Sequence, residues 1–143
     1  AVNANGTGTY TSASAALVPA ATPGAPTIST VTASSGQVVV SWSAPASNGG
    51  AAITDYVIQQ SSNSGSTWTT FSDGTSTSTS ATVTGLTNGT SYVFRVAATN
   101  AIGTGSYSSA SSSSTPATTA VPRTPTTPAI PTEARSLSTP FVP

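Results

Sequence analysis

Cysteine, histidine, lysine and methionine are all absent from the 143 residues. Without cysteine there are no disulfides, thiolate zinc sites or thiol nucleophiles, and without histidine the commonest metal ligand and general base are gone. Catalysis would have to run without its usual parts, so the chain is expected not to be an enzyme and to hold no cofactor or metal. Charge is nearly missing too. Three acids (Asp55, Asp73, Glu133) and three arginines (Arg95, Arg123, Arg135) make up 4% of the residues and cancel, against about a quarter in ordinary soluble domains. No basic footprint for nucleic acid is present. No run approaches the roughly 18 apolar residues of a membrane span, and the N-terminus carries neither the basic nor the apolar region of a signal peptide. A secreted chain whose leader has been removed, or a processed piece, is expected.

What is abundant is the hydroxyl group: 26 serines and 28 threonines. Such a surface stays wet without charge and predicts a secreted, extracellular or cell-surface life. The hydrophobic share of 36% suffices for one small core.

The opening AVNANGTGTYTSASAALVPA returns from residue 98 as ATNAIGTGSYSSASSSSTPA, with 12 of 20 positions identical at an offset of 97. Residues 1–20 are therefore one extended piece. ATPGAP at 21–26 is a proline-bounded linker in which Pro23 and Pro26 stop strand pairing. Across 27–117, short alternating runs separated by Gly, Asn and Ser clusters predict an antiparallel sandwich, and no stretch has a helical period. QVVVSW places Val38, Val40 and Trp42 on one face. ITDYVIQQ turns Tyr56 and Ile58 inward, SATVTGL turns Ala81 and Val83 inward, and TSYVFRVAATN turns Tyr92, Phe94, Val96 and Ala98 inward with Val93 and Arg95 outward. Trp68 and Phe71 stand on opposite parity, so both cannot face the core. The last strand follows GTG, includes Tyr107 and runs out in serine. Residues 118–143 hold six prolines and read as extended chain, with Ile130, Leu137 and Phe141 as apolar residues along it.

Residues 25–117 resemble a fibronectin type III domain. The resemblance rests on Trp42 in VSWSAP, Tyr56 in DYVIQQ, Leu86 six residues before Tyr92 in GLTNGTSY, and the closing FRVAATNAIGTGSYS. It implies an all-β, seven-stranded immunoglobulin-like sandwich, strands A, B and E against C, C′, F and G, with extended N- and C-terminal segments. The core would be Trp42, Tyr56, Leu86, Tyr92 and Phe94, and Tyr92 would form a tyrosine corner whose hydroxyl bonds upstream backbone. The wording AATNAIGTGSYS is similar to bacterial tandem-repeat members. Integrin-binding members carry Arg-Gly-Asp between the last two strands, where this chain has NAIGTG, so that activity is not implied. Residues 1–20 then correspond to the F–G end and G strand of a preceding repeat, or to a donor strand.

Asn5-Gly6-Thr7 and Asn88-Gly89-Thr90 fit the glycosylation pattern, but Asn-Gly is first of all turn chemistry. Asp55 and Asp73 could pair as carboxylates or calcium ligands; an aspartate opening a strand and another in an Asp-Gly turn is the simpler account. Trp68 with Phe71 is the best candidate platform for stacking a sugar, set against ordinary sheet-covering roles. The uncharged edge SYSSASSSST lacks the lysines that usually guard an edge strand and is expected to invite pairing. Tyr10, Leu17, Val18, Ile130, Leu137 and Phe141 are the candidate assembly residues. The expected function is a structural building block of a secreted bacterial filament, sheath, appendage or adhesin, with other copies or neighbouring repeats as partners. A spacer or carbohydrate-binding accessory of a secreted polysaccharide-degrading enzyme, with polysaccharide as partner, and a phage or virion decoration domain are the alternatives.

Overall fold

The computed structural model describes residues 2–4, 6–7 and 19–120. A short hairpin pairs β1 (Val2–Asn3) with β2 (Gly6–Thr7). The sandwich follows: β3 (Thr27–Ser34), β4 (Gln37–Ser43), β5 (Ile53–Ser61), β6 (Thr69–Phe71), β7 (Ser80–Thr84) and β8 (Val93–Asn100). One antiparallel sheet has the order β3-β4-β7 and the other β6-β5-β8. These are strands A, B and E against C′, C and F.

Alternation in the sequence becomes the two faces of each sheet. The β-branched run of β4 suits a pleated, half-buried surface, and its Val38, Val40 and Trp42 are buried while the residues between them are half-buried. Val83 from β7 joins them, and the facing sheet supplies Tyr56, Ile58, Phe94, Val96 and Ala98. Trp42 meets Tyr56 edge to face, with ring centroids 5.3 Å apart, a geometry worth about 0.5–1.5 kcal/mol beyond burial. Leu86 closes one end of this core. Tyr92, expected in the core, is only half-buried and packs against it. Its hydroxyl accepts the Thr87 N–H at 3.2 Å, which makes the tyrosine corner. Among the described residues no helix is long and apolar enough to cross a membrane.

Candidate interdomain joint and edge surfaces

The linker at 21–26 is part of the folded unit. Ala21 N–H donates to the Gly49 carbonyl at 2.7 Å and Gly24 N–H to the Ser47 carbonyl at 2.9 Å, while Pro23 and Pro26 are buried. Asn100, 4% exposed at the end of β8, ties the linker to two loops. Its Nδ2 donates to the carbonyls of Ala21 (2.7 Å) and Asn48 (2.9 Å), and its Oδ1 accepts from the N–H of Ile102 (2.9 Å) and of Gly103 (3.2 Å). Both donors and both acceptor sites of the amide are in use. Two glycines permit the close approach. A Cβ at Gly49 would overlap the Ala21 carbonyl, and one at Gly105 would overlap the Pro23 carbonyl. Prolines suit the linker because they have no N–H to leave unpaired between these contacts.

Beyond Asn100 the chain turns through reciprocal backbone bonds between Asn100 and Gly103, both 3.1 Å, and a bridge of Thr99 with Thr104. The β1–β2 hairpin has the same register 97 residues earlier, Asn3 opposite Gly6 and Val2 opposite Thr7.

A seventh segment of the sandwich, residues 105–114, then lies along β8 without forming a regular ladder. The carbonyls of Ala98, Val96, Phe94 and Tyr92 accept from the N–H groups of Gly105, Ser108, Ser111 and Ser114, each at 2.8 Å. The acceptors recur every second residue and the donors every third. Two strand residues advance about 6.7 Å, so the segment advances only about 2.2 Å per residue, in the manner of successive bulges. At its far end the Ser114 carbonyl still accepts the Tyr92 N–H at 2.9 Å, but opposite Val96 and Phe94 serine hydroxyls stand in place of the segment's carbonyls. Val96 N–H donates to Ser108 Oγ (3.1 Å) and Phe94 N–H to Ser111 Oγ (3.0 Å). Each hydroxyl passes the bond on, Ser108 to the Ser109 carbonyl (2.9 Å) and Ser111 to the Ser112 carbonyl (2.8 Å).

This corrects the expected open edge at SYSSASSSST. A repeatedly bulged segment presents no continuous row of donors and acceptors, so bulging guards the edge where other sandwiches use lysine. The long edge left free by the described pairings is that of β3, which pairs with β4 alone. A cleft of about 210 Å³ runs between residues 26–31 and 108–112.

Arg95 lies on the outward face of the second sheet. Its guanidinium is sandwiched between Trp68 (4.3 Å) and Tyr107 (4.4 Å), and its Nε and Nη2 donate to Gln59 Oε1 at 2.8 and 2.7 Å. Register explains the ladder: Gln59 stands opposite Arg95 on one side and Thr70 on the other. Phe71 packs against the core on the opposite face. Trp68 and Phe71 therefore do not form one sugar platform, and Trp68 already stacks on Arg95.

Asp55 and Asp73 line one shallow pocket of about 210 Å³ with Phe71 and Gly74. Burial holds the Asp73 carboxyl above the usual carboxylate range, a backbone hydrogen bond opposes this, and the Asp55 charge adds to the rise. Asp55 Oδ1 accepts the Ser76 N–H at 2.9 Å. Among the described residues no third acid or histidine joins them as a metal-binding group. The Asn88 amide is engaged in the fold: Oδ1 accepts from Gly36 N–H (2.8 Å) and Nδ2 donates to Ser35 Oγ (3.2 Å), linking two turns. Asn5, Tyr10, Leu17, Val18, Ile130, Leu137 and Phe141 lie outside the described residues.

Residues 21–114 match the family model of the fibronectin type III domain. Among solved structures, titin kinase with its flanking domains is 32% identical over 68% of this chain and 18% of its own, with a TM-score of 0.59. The twitchin kinase region from C. elegans is 26% identical over 68% of this chain and 17% of its own, with a TM-score of 0.62. The FN1-FN3 domains of chicken CNTN1 are 29% identical over 66% of this chain and 33% of theirs, with a TM-score of 0.60. The chain thus spans a third or less of each of these structures. No curated protein sequence matches it. Matched from the docked linker to the bulged seventh element, this chain belongs to the fibronectin type III family.

Proposed function

We propose that the chain is a non-catalytic repeat unit of a secreted bacterial surface structure, a filament, sheath, appendage or adhesin. In this reading the domain holds its neighbours in position. The observation that carries it is the clamp on residues 21–24. A linker free to pivot would let successive repeats tumble, whereas one bonded through Ala21 and Gly24 to the loop at 47–49 transmits orientation into the next sandwich. The chain's poverty of charge and the multi-domain character of the FN1-FN3 structure support the same view. The hairpin of residues 2–7 shares the register of residues 99–104, which supports a preceding repeat as the unit held by the clamp. Light scattering with negative-stain imaging tests the function. Regular oligomers or fibres are expected; a strict monomer that binds insoluble polysaccharide would favour the accessory-module alternative instead.

A further inference from the structure

We propose that the outer edge of β8 is a recognition site for segments of the pattern Gly-x-Tyr-Ser/Thr-x-x-Ser, and that it accepts residues 8–14 of a second copy of this chain in place of residues 105–111. The inference rests on the assembly reading above and gives it a contact.

Four positions of the resident segment have a physical requirement. Position 105 must be glycine, because a Cβ would strike the Pro23 carbonyl. Position 107 stacks an aromatic ring on the Arg95 guanidinium. Positions 108 and 111 each need a short hydroxyl side chain to receive the N–H of Val96 and Phe94. Gly8, Tyr10, Thr11 and Ser14 meet all four requirements at the same spacing. Hydroxyl residues are common in this chain, so those two matches discriminate weakly. Glycine and tyrosine number only 12 and 4, so a match at both, in register with the hydroxyls, discriminates well. Upstream, the hairpins leading into the two segments share one register. Position 114 is where they part: Ser114 is buried and Leu17 stands at the equivalent place.

Resident and incoming segments would make the same bonds, so exchange between copies is nearly neutral and responds to whichever segment is weakened. Removing the same two hydroxyls at the two places must therefore have opposite effects. In the full chain, Ser108→Ala with Ser111→Ala weakens the resident and should strengthen self-association. Thr11→Ala with Ser14→Ala weakens the incoming segment and should reduce it. Two β8 amides left without their acceptors make each change at least about 30-fold in the association constant. Sedimentation velocity over a concentration series reads both. Shifts of the same sign, or no shift in either variant, would overturn the proposal.

A second measurement needs no variant of the chain. Excess synthetic peptide of residues 1–20 added to the wild-type chain should move the NMR amide signals of Phe94, Val96 and Ala98; unmoved signals at β8 overturn the inference. Oligomers that persist unchanged in the Thr11→Ala, Ser14→Ala chain overturn the exchange and leave the assembly function standing. A monomer that still takes the peptide at β8 supports the recognition site and removes the assembly function.

Discussion

Replacing Asn100 with alanine should release residues 21–24 and destabilise the domain together. The substitution removes two donors that serve the Ala21 and Asn48 carbonyls and an acceptor shared by Ile102 and Gly103. At a net 0.5–1.5 kcal/mol per bond the four would sum to about 2–6 kcal/mol. Bonds that share one amide are not additive, and the released loop carbonyls can regain water, so about 3 kcal/mol is the expected loss. That is a large part of the roughly 5–15 kcal/mol that holds an ordinary domain, and it should lower the Tm by about 10–20 °C for a module of this size. Urea unfolding followed by tryptophan fluorescence measures the total, and amide exchange at Ala21 and Gly24 reads the docking of residues 21–24 separately. A loss under about 0.5 kcal/mol, or unchanged protection at those two amides, would refute the idea that Asn100 anchors the linker.

Three further outcomes follow from the same structure. Gly105→Ala should cost about 1–3 kcal/mol, because its new methyl must push away the Pro23 carbonyl; exchange at Gly24 should accelerate with it. Tyr92→Phe should cost about 1 kcal/mol in chemical denaturation, the worth of the bond from Thr87 N–H. For Asp73, folding raises the carboxyl pKa through burial, so the charged form carries a penalty above the folded pKa that disappears as pH falls through it. Asp73→Asn should therefore stabilise the domain at neutral pH and lose that advantage in acid, as a thermal-melt series from pH 7 to pH 3 would show.

The sandwich was legible in the sequence because period-two alternation is written directly into it. Val38, Val40 and Trp42, and Phe94, Val96 and Ala98, needed only their parity. The opposed parity of Trp68 and Phe71 likewise announced that they would separate. Pairing them with other residues needed the register, since only the alignment of β5 with β6 and β8 brings Trp68 over Arg95. The clamp at Asn100 was hidden for a different reason. Its partners are main-chain groups of Ala21, Asn48, Ile102 and Gly103, and such groups carry no residue identity. The pattern on the seventh element was visible, with Gly105, Ser108, Ser111 and Ser114 three apart, but neither the strand nor the helix template has that period.

Serine in this chain is structural as well as wetting, and position decides which. Composition alone makes Ser108, Ser109, Ser111 and Ser112 equivalent. The geometry divides them: Ser108 and Ser111 extend the ladder of β8 by one atom each, while Ser109 and Ser112 are exposed and lend only their backbone carbonyls. Removing the hydroxyls of Ser108 and Ser111 strands two inner amides of β8, at about 1–3 kcal/mol each. Removing those of Ser109 and Ser112 touches none of these bonds and should stay within about 0.5 kcal/mol. Chemical denaturation of the two double-alanine chains compares them at identical composition. Equal losses would mean that hydroxyl content, and not its three-residue placement, keeps the edge closed.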